Sequence, residues 1–116
     1  MSSLIALEDS LAKHYGSTMV GAVDSTFNAN TPNFVKINNV SIVTTNNTID
    51  TPSHQFAVDS EGNPLFHSHL NQVVDNLNQS FVKIENNVII VVGDKSNGED
   101  TRVENGGSNN FVKIIT

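Results

Sequence analysis

The 116-residue sequence has no cysteine and no tryptophan, a single tyrosine, and only 6 basic residues against 12 acidic ones. Without cysteine there are no disulfides and no thiolate metal sites, so any cross-link in so small a chain falls to imidazole, carboxylate or oligomerisation. The formal charge of −6 opposes the phosphate neutralisation on which nucleic-acid affinity rests, and it disfavours docking on anionic lipid. The scarcity of aromatic rings leaves few platforms for stacking a sugar. No apolar run approaches the ~18 residues of a membrane-spanning helix. Residues 1–7 are shorter than a secretory leader and carry no basic residue, so the expectation is a soluble, unprocessed chain with no stable membrane anchor. Catalytic sets are missing as well. Gly106-Gly107-Ser108 leads into a strand rather than a helix, which argues against a phosphate-binding loop, and nothing in the sequence pattern places a serine on an elbow turn or within reach of a general base; the chain is not expected to be an enzyme.

What the sequence does contain is repetition. Phe-Val-Lys-Ile occurs at Phe34 to Ile37, Phe81 to Ile84 and Phe111 to Ile114, and residues 35–47 align without a gap on residues 82–94. Each unit reads as strand, tight turn, strand, second turn, so one hairpin-like element is used three times around a common core. In the first, Val35 and Ile37 share one face while Phe34 and Lys36 share the other, and Asn38-Asn39 supplies the residues that tolerate positive φ in a two-residue hairpin. The second turns at Glu85-Asn86-Asn87 into Val88 to Val92, an apolar run without alternation that predicts a strand covered on both faces. Ile5 to Asp9 can be laid on Ile90 to Asp94, which places equivalent turns at Glu8-Asp9, Asn46-Asn47 and Gly93-Asp94. Ile84, Ile89 and Val91 are expected in the core, with Lys36, Lys83 and Lys113 facing solvent.

Between the units the reading is coarser. Residues 16–32 predict a loop with a short strand around Met19 to Val23. Leu70, Val73, Val74 and Leu77 have helical spacing and predict a short helix or irregular cover. Ser96 to Asn110 predicts a solvated loop, in which Glu99, Asp100 and Glu104, like Asp94 just before it, face water or bind a cation weakly. Three matches to the glycosylation sequon, at Asn39, Asn46 and Asn78, are read as chance in an asparagine-rich chain.

Four histidines occur, His14, His54, His67 and His69. On a strand, residues two apart project to one face, so His67 and His69 can reach one ion while Ser68 points away. His14 and His54 each follow a repeat-end turn. If those turns gather at one end of a pseudo-symmetric unit, the loops after them converge, and three or four imidazoles could close a tetrahedral site. Nitrogen-only donors suit zinc or iron better than calcium or magnesium.

The unit Val82 to Asp94 resembles the repeat of PAAR-domain proteins, and Asn109 to Ile115 resembles their closing strand. The namesake tetrad is replaced by Val88 to Val91, and Gly-Asp survives only at Gly93-Asp94. The resemblance implies a small conical all-β fold, residues 1–116 forming a single PAAR-like domain of three hairpin-like repeats in pseudo-threefold arrangement. It implies a spike-tip protein that caps the trimeric central spike of a contractile phage tail or type VI secretion system, one copy per trimer, docking through edges at Val35, Val82 and Val112 and helping to pierce the target envelope. Its location would be the virion baseplate, or outside the cell with a secreted apparatus. It further implies an apical zinc or iron, held in that family by three histidines and a cysteine placed in loops after the repeat ends. His14 and His54 match that placement, and His67 or His69 lies in the insertion before the second repeat. The cysteine is missing, and the loop after Gly93-Asp94 offers Ser96 and Asn97 instead. Two other readings are a homotrimeric needle tip with His67 and His69 of three chains around one iron, and a small metal-free β binding or adaptor module.

Overall fold

The computed structural model describes residues 2–16, 19–28, 35–96, 98 and 100–115. They form an all-β structure with no helix among them. The repeats appear as short hairpins. β4 (Lys36–Ile37) pairs with β5 (Val40–Ser41), and β8 (Lys83–Ile84) pairs with β9 (Asn87–Val88). Both turns place two consecutive residues at positive φ, Asn38 and Asn39 at 52° and 65°, Glu85 and Asn86 at 48° and 71°. That is the type I′ geometry whose twist matches the flanking strands. The third hairpin is assembled from distant parts of the sequence: β1 (Ser2–Leu4) pairs with β12 (Lys113–Ile115). Lys36, Lys83 and Lys113 occupy equivalent positions and are exposed. Phe34 lies outside the described residues.

The three units meet in a closed ring of backbone hydrogen bonds. Ala6 N–H donates to Ile90 O (3.0 Å), Ile90 N–H to Val43 O (3.1 Å) and Val43 N–H to Ala6 O (3.3 Å). The same threefold pattern places Ile5, Ile42 and Ile89 as donors to Val112, Val35 and Val82, each at 3.1 Å. Each unit then ends in a turn capped by its own side chain. Leu7 N–H donates to Ser10 Oγ (2.9 Å), Thr44 N–H to Asn47 Oδ1 (3.0 Å) and Val91 N–H to Asp94 Oδ2 (2.9 Å). The first unit is therefore aligned one residue later than the sequence suggests, with Asp9-Ser10 equivalent to Asn46-Asn47 and Gly93-Asp94. An acceptor must reach back three residues, and Ser10 supplies it; Asp9 is instead bonded to Ser108 N–H (3.0 Å) and hydroxyl. A Cβ at Gly107, where φ is +60°, would collide with that Asp9 carboxylate.

The apolar run 88–92 is covered on both faces, as expected. Ile89 and Val91 join Leu7, Ile42 and Ile114 in the cluster beneath the hairpins, while Ile90 points the other way, into a second cluster with Ala12, Phe27, Ile49, Val74 and Val103. Ile84 packs only half-buried against the first cluster.

That second cluster is the floor of a curled antiparallel sheet. Its strands are β2 (Leu11–His14), β3 (Val23–Phe27), β6 (Thr48–Val58), β7 (Pro64–Val73), β10 (Lys95–Ser96) and β11 (Thr101–Val103), in the spatial order β10-β11-β2-β3-β6-β7. Beyond β7 the chain closes back on β10: Asn76 N–H donates to Lys95 O (3.0 Å) and Lys95 N–H to Asn76 O (3.1 Å). Side chains alternate, so each strand steps from an apolar to a polar residue two positions on. Val103, Ala12, Phe27, Ile49 and Val74 form the apolar level; Thr101, His14, Ser25, Thr51 and Gln72 form a buried polar level above it.

Three sequence expectations are corrected here. The strand expected around Met19 to Val23 begins at Val23 and runs to Phe27, because its pairing with β2 sets Val23 opposite His14 and buries Ser25 and Phe27; Met19 and Val20 are exposed. No helix covers residues 70–77. β7 runs to Val73 with Asn71 at a φ of 56°, and a one-residue bulge there imposes a three-residue spacing that imitates a helix. The loop expected over 96–110 contains β11, and Ser96, Thr101, Val103 and Asn109 are buried. Asn109 is buried because its amide does backbone work: Oδ1 accepts from Phe111 and Val112 N–H, and Nδ2 donates to Ile5 O and Val112 O.

Candidate metal centre

All four histidines sit on strands, His67 and His69 as expected and His14 and His54 in place of the loops expected after the repeat ends; His14 itself belongs to the polar level. His14 ends β2, His54 lies in β6, and His67 and His69 lie in β7. Strand positions hold the rings more rigidly than loops would, because the sheet's hydrogen bonds fix the backbone on which they stand. Two compensating bulges aim them inward. Thr51 is opposite His69 while Ile49 is opposite Gln72 and His54 is opposite His67, so one extra residue is inserted in β7 and then one in β6. On an unbroken strand His69 and Gln72 would face opposite sides, as would Thr51 and His54.

The ligand nitrogens of His14, His54 and His69 all lie within 4.8 Å of one another. His14 and His54 are buried and His69 half-buried. His67 adjoins this group: its Nε2 is 3.0 Å from His54 Nε2, and its ring centroid is 4.4 Å from that of His69. The pair thus shares a face, with Ser68 exposed between them. Phe56 stacks on the His67 ring, the centroids 4.1 Å apart at an interplanar angle of 12°.

Local partners also fix how the nitrogens are used. His54 Nδ1 is 2.8 Å from Pro52 O. A carbonyl only accepts, so Nδ1 carries the proton and Nε2 presents its lone pair to the centre. With His14 and His69 it forms a group able to hold a metal ion, and the group contains no carboxylate among the described residues. Such a donor set suits zinc and the neighbouring transition metals rather than calcium or magnesium.

Other candidates stay outside. Ser96, offered by the loop after Gly93-Asp94 as a further candidate ligand, is buried on β10 and is not in the group; Asn97 and Glu99 lie outside the described residues. Asp94 is fully buried rather than solvated, and burial pushes its carboxyl above the usual range, partly offset by N–H bonds from Val91 and Asn78. Asp100 is exposed, while Glu104 accepts from Tyr15 and from Arg102 (3.3 Å). Sequence reasoning missed Phe56, Gln72 and Thr101, since nothing in their spacing marks them as neighbours of the histidines. No family model, curated protein or solved structure matches the chain. No helix of the described residues is long and apolar enough to cross a membrane.

Proposed function

We propose that this protein is a spike tip, a non-enzymatic cap on the trimeric central spike of a contractile phage tail or related injection machine. The observation that carries the reading is the pseudo-threefold ring of Ala6, Val43 and Ile90, which sets three matching hairpins at one end of the molecule and gathers four histidines towards the other. A single chain with that symmetry suits a trimer, and one copy fills the site.

The hairpin end supports docking. Phe81 and Phe111 are 66% and 70% exposed, and Val35 and Ile115 are exposed beside the repeats. Burying the exposed part of such rings favours an interface, because apolar area leaves water. Three of the 6 basic residues, Lys36, Lys83 and Lys113, stand at equivalent hairpin positions in a chain of net charge −6. This favours a spike whose end is apolar at the centre and acidic at the rim.

At the other end, zinc is the proposed ion, with His14, His54 and His69 as ligands and His67 as the fourth. It would join β2, β6 and β7, of which β2 and β6 are not neighbours in the sheet, and so lock the mouth of the curled sheet against mechanical load. The three-histidine group is complete within one chain, which favours this reading over a homotrimeric needle tip. The test is light scattering of the protein mixed with the trimeric spike from its own machine. One chain per trimer is expected, and a three-to-three complex or a homotrimer of this chain alone would overturn the reading.

A further inference from the structure

The polar level to which His14 belongs has one consistent direction of hydrogen bonding through Gln72 and Thr101. Gln72 Nε2 lies 3.2 Å from Ile49 O and 3.3 Å from His69 O. Carbonyl oxygens only accept, so the amide nitrogen must face them, and the amide oxygen must face Thr101. An amide oxygen also only accepts. The Thr101 hydroxyl therefore directs its single proton to Gln72, leaving Oγ1 as an acceptor towards His14 Nδ1, 3.3 Å away. It follows that His14 is protonated on Nδ1 and presents the lone pair of Nε2.

We propose that Gln72 and Thr101 are positioning residues of the metal centre, a relay that fixes the His14 tautomer and couples it to the strand that carries His69. The inference rests on the metal-binding reading of the histidines. The same Gln72 nitrogen donates to Thr51 Oγ1 (2.8 Å), and Thr51 stands opposite His69. One amide thus ties β6 and β7 together and reaches β2 through Thr101 on β11. Gln72, Thr101 and Thr51 are all buried, so water does not compete for these bonds. A ring held in the other tautomer would turn an N–H towards the ion and would have to exchange its proton before binding. Outer partners of this kind typically change metal affinity by about 10- to 100-fold.

The experiment titrates Co²⁺ into the full chain and reads its visible absorption, for the natural protein, Thr101→Val and Thr101→Ser. Valine keeps the shape and removes the acceptor, so affinity should fall by roughly 10- to 100-fold. Serine restores the hydroxyl and should bring the affinity back to within a few-fold of the natural value. Long-range ¹H–¹⁵N spectra of the metal-free natural protein, above the imidazole titration range, should show the proton of His14 on Nδ1. Unchanged Co²⁺ affinity in Thr101→Val, or a proton on Nε2, would overturn the relay. No Co²⁺ binding by the natural protein would instead overturn the metal reading, and the tautomer read from that same sample would still decide the relay. Because the spectra need only the natural protein, they decide it even if Thr101→Val does not fold.

Discussion

Thr51 stands opposite His69, one residue out of step with the pairs on either side. That slip is the local event that builds the histidine cluster, because it reverses which side chains of β6 and β7 point inward between Ile49 and His54. It depends on Asn71, held at a φ of 56° with its N–H donated to Asp50 Oδ1 (2.9 Å).

Asn71→Val should therefore destabilise the protein by about 1–3 kcal/mol, since a β-branched residue is strained at positive φ. Asn71→Gly should be much milder, because glycine adopts that conformation freely. Urea denaturation of both variants checks this. Equal losses would show that backbone conformation at residue 71 does not hold the bulge.

The two-cluster core predicts a graded series. Ile90 is fully buried on the threefold ring, and Ile90→Ala should cost about 2–5 kcal/mol. Ile84 is only half-buried and its truncation should cost less. Lys83→Ala should stay within about 0.5 kcal/mol of the natural protein. A loss at Lys83 matching that at Ile90 would contradict the observed strand register.

Removal of the proposed ion should lower the melting temperature by several degrees, because its binding free energy would add to folding free energy and it would join strands that are not neighbours. His69→Ala should abolish the chelator-sensitive part of the melting curve. A curve that chelation leaves unmoved would remove the proposed staple.

Asp94 gives a pH dependence with a definite sign. Its folded pKa is raised by burial, so the folded state holds the proton more tightly than the unfolded chain. The stability it contributes is thus fully present below the unfolded carboxylate pKa and is lost as pH rises through the folded one. Asp94→Asn lacks this slope. The stability difference between the natural protein and the variant should be larger in acid and shrink towards neutral pH, as measured by urea unfolding across that range. A difference that grows with pH would reverse the assigned direction.

The all-β class, the two Asn-containing hairpin turns and the threefold reuse of one unit were legible in the sequence because they depend on neighbouring residues. Positive φ falls where asparagine tolerates it, and a gap-free repeat preserves strand and turn in order. The first unit was misaligned by one residue because Ser10, Asn47 and Asp94 share only a hydrogen-bond acceptor, which residue identity does not reveal.

The four histidines could be named from the sequence, since imidazoles in so short a cysteine-free chain are conspicuous. Which of them meet, and through which nitrogen, was decided by the tertiary structure alone. Two compensating bulges shift the inward phase of β6 and β7, and a shift of one residue changes the face of every side chain beyond it. The polar partners are hidden for the same reason. Gln72 and Thr101 are 29 residues apart in the chain, and only the curling of the sheet brings β7 and β11 close enough for an amide oxygen and a hydroxyl to fix the proton on a third residue's ring.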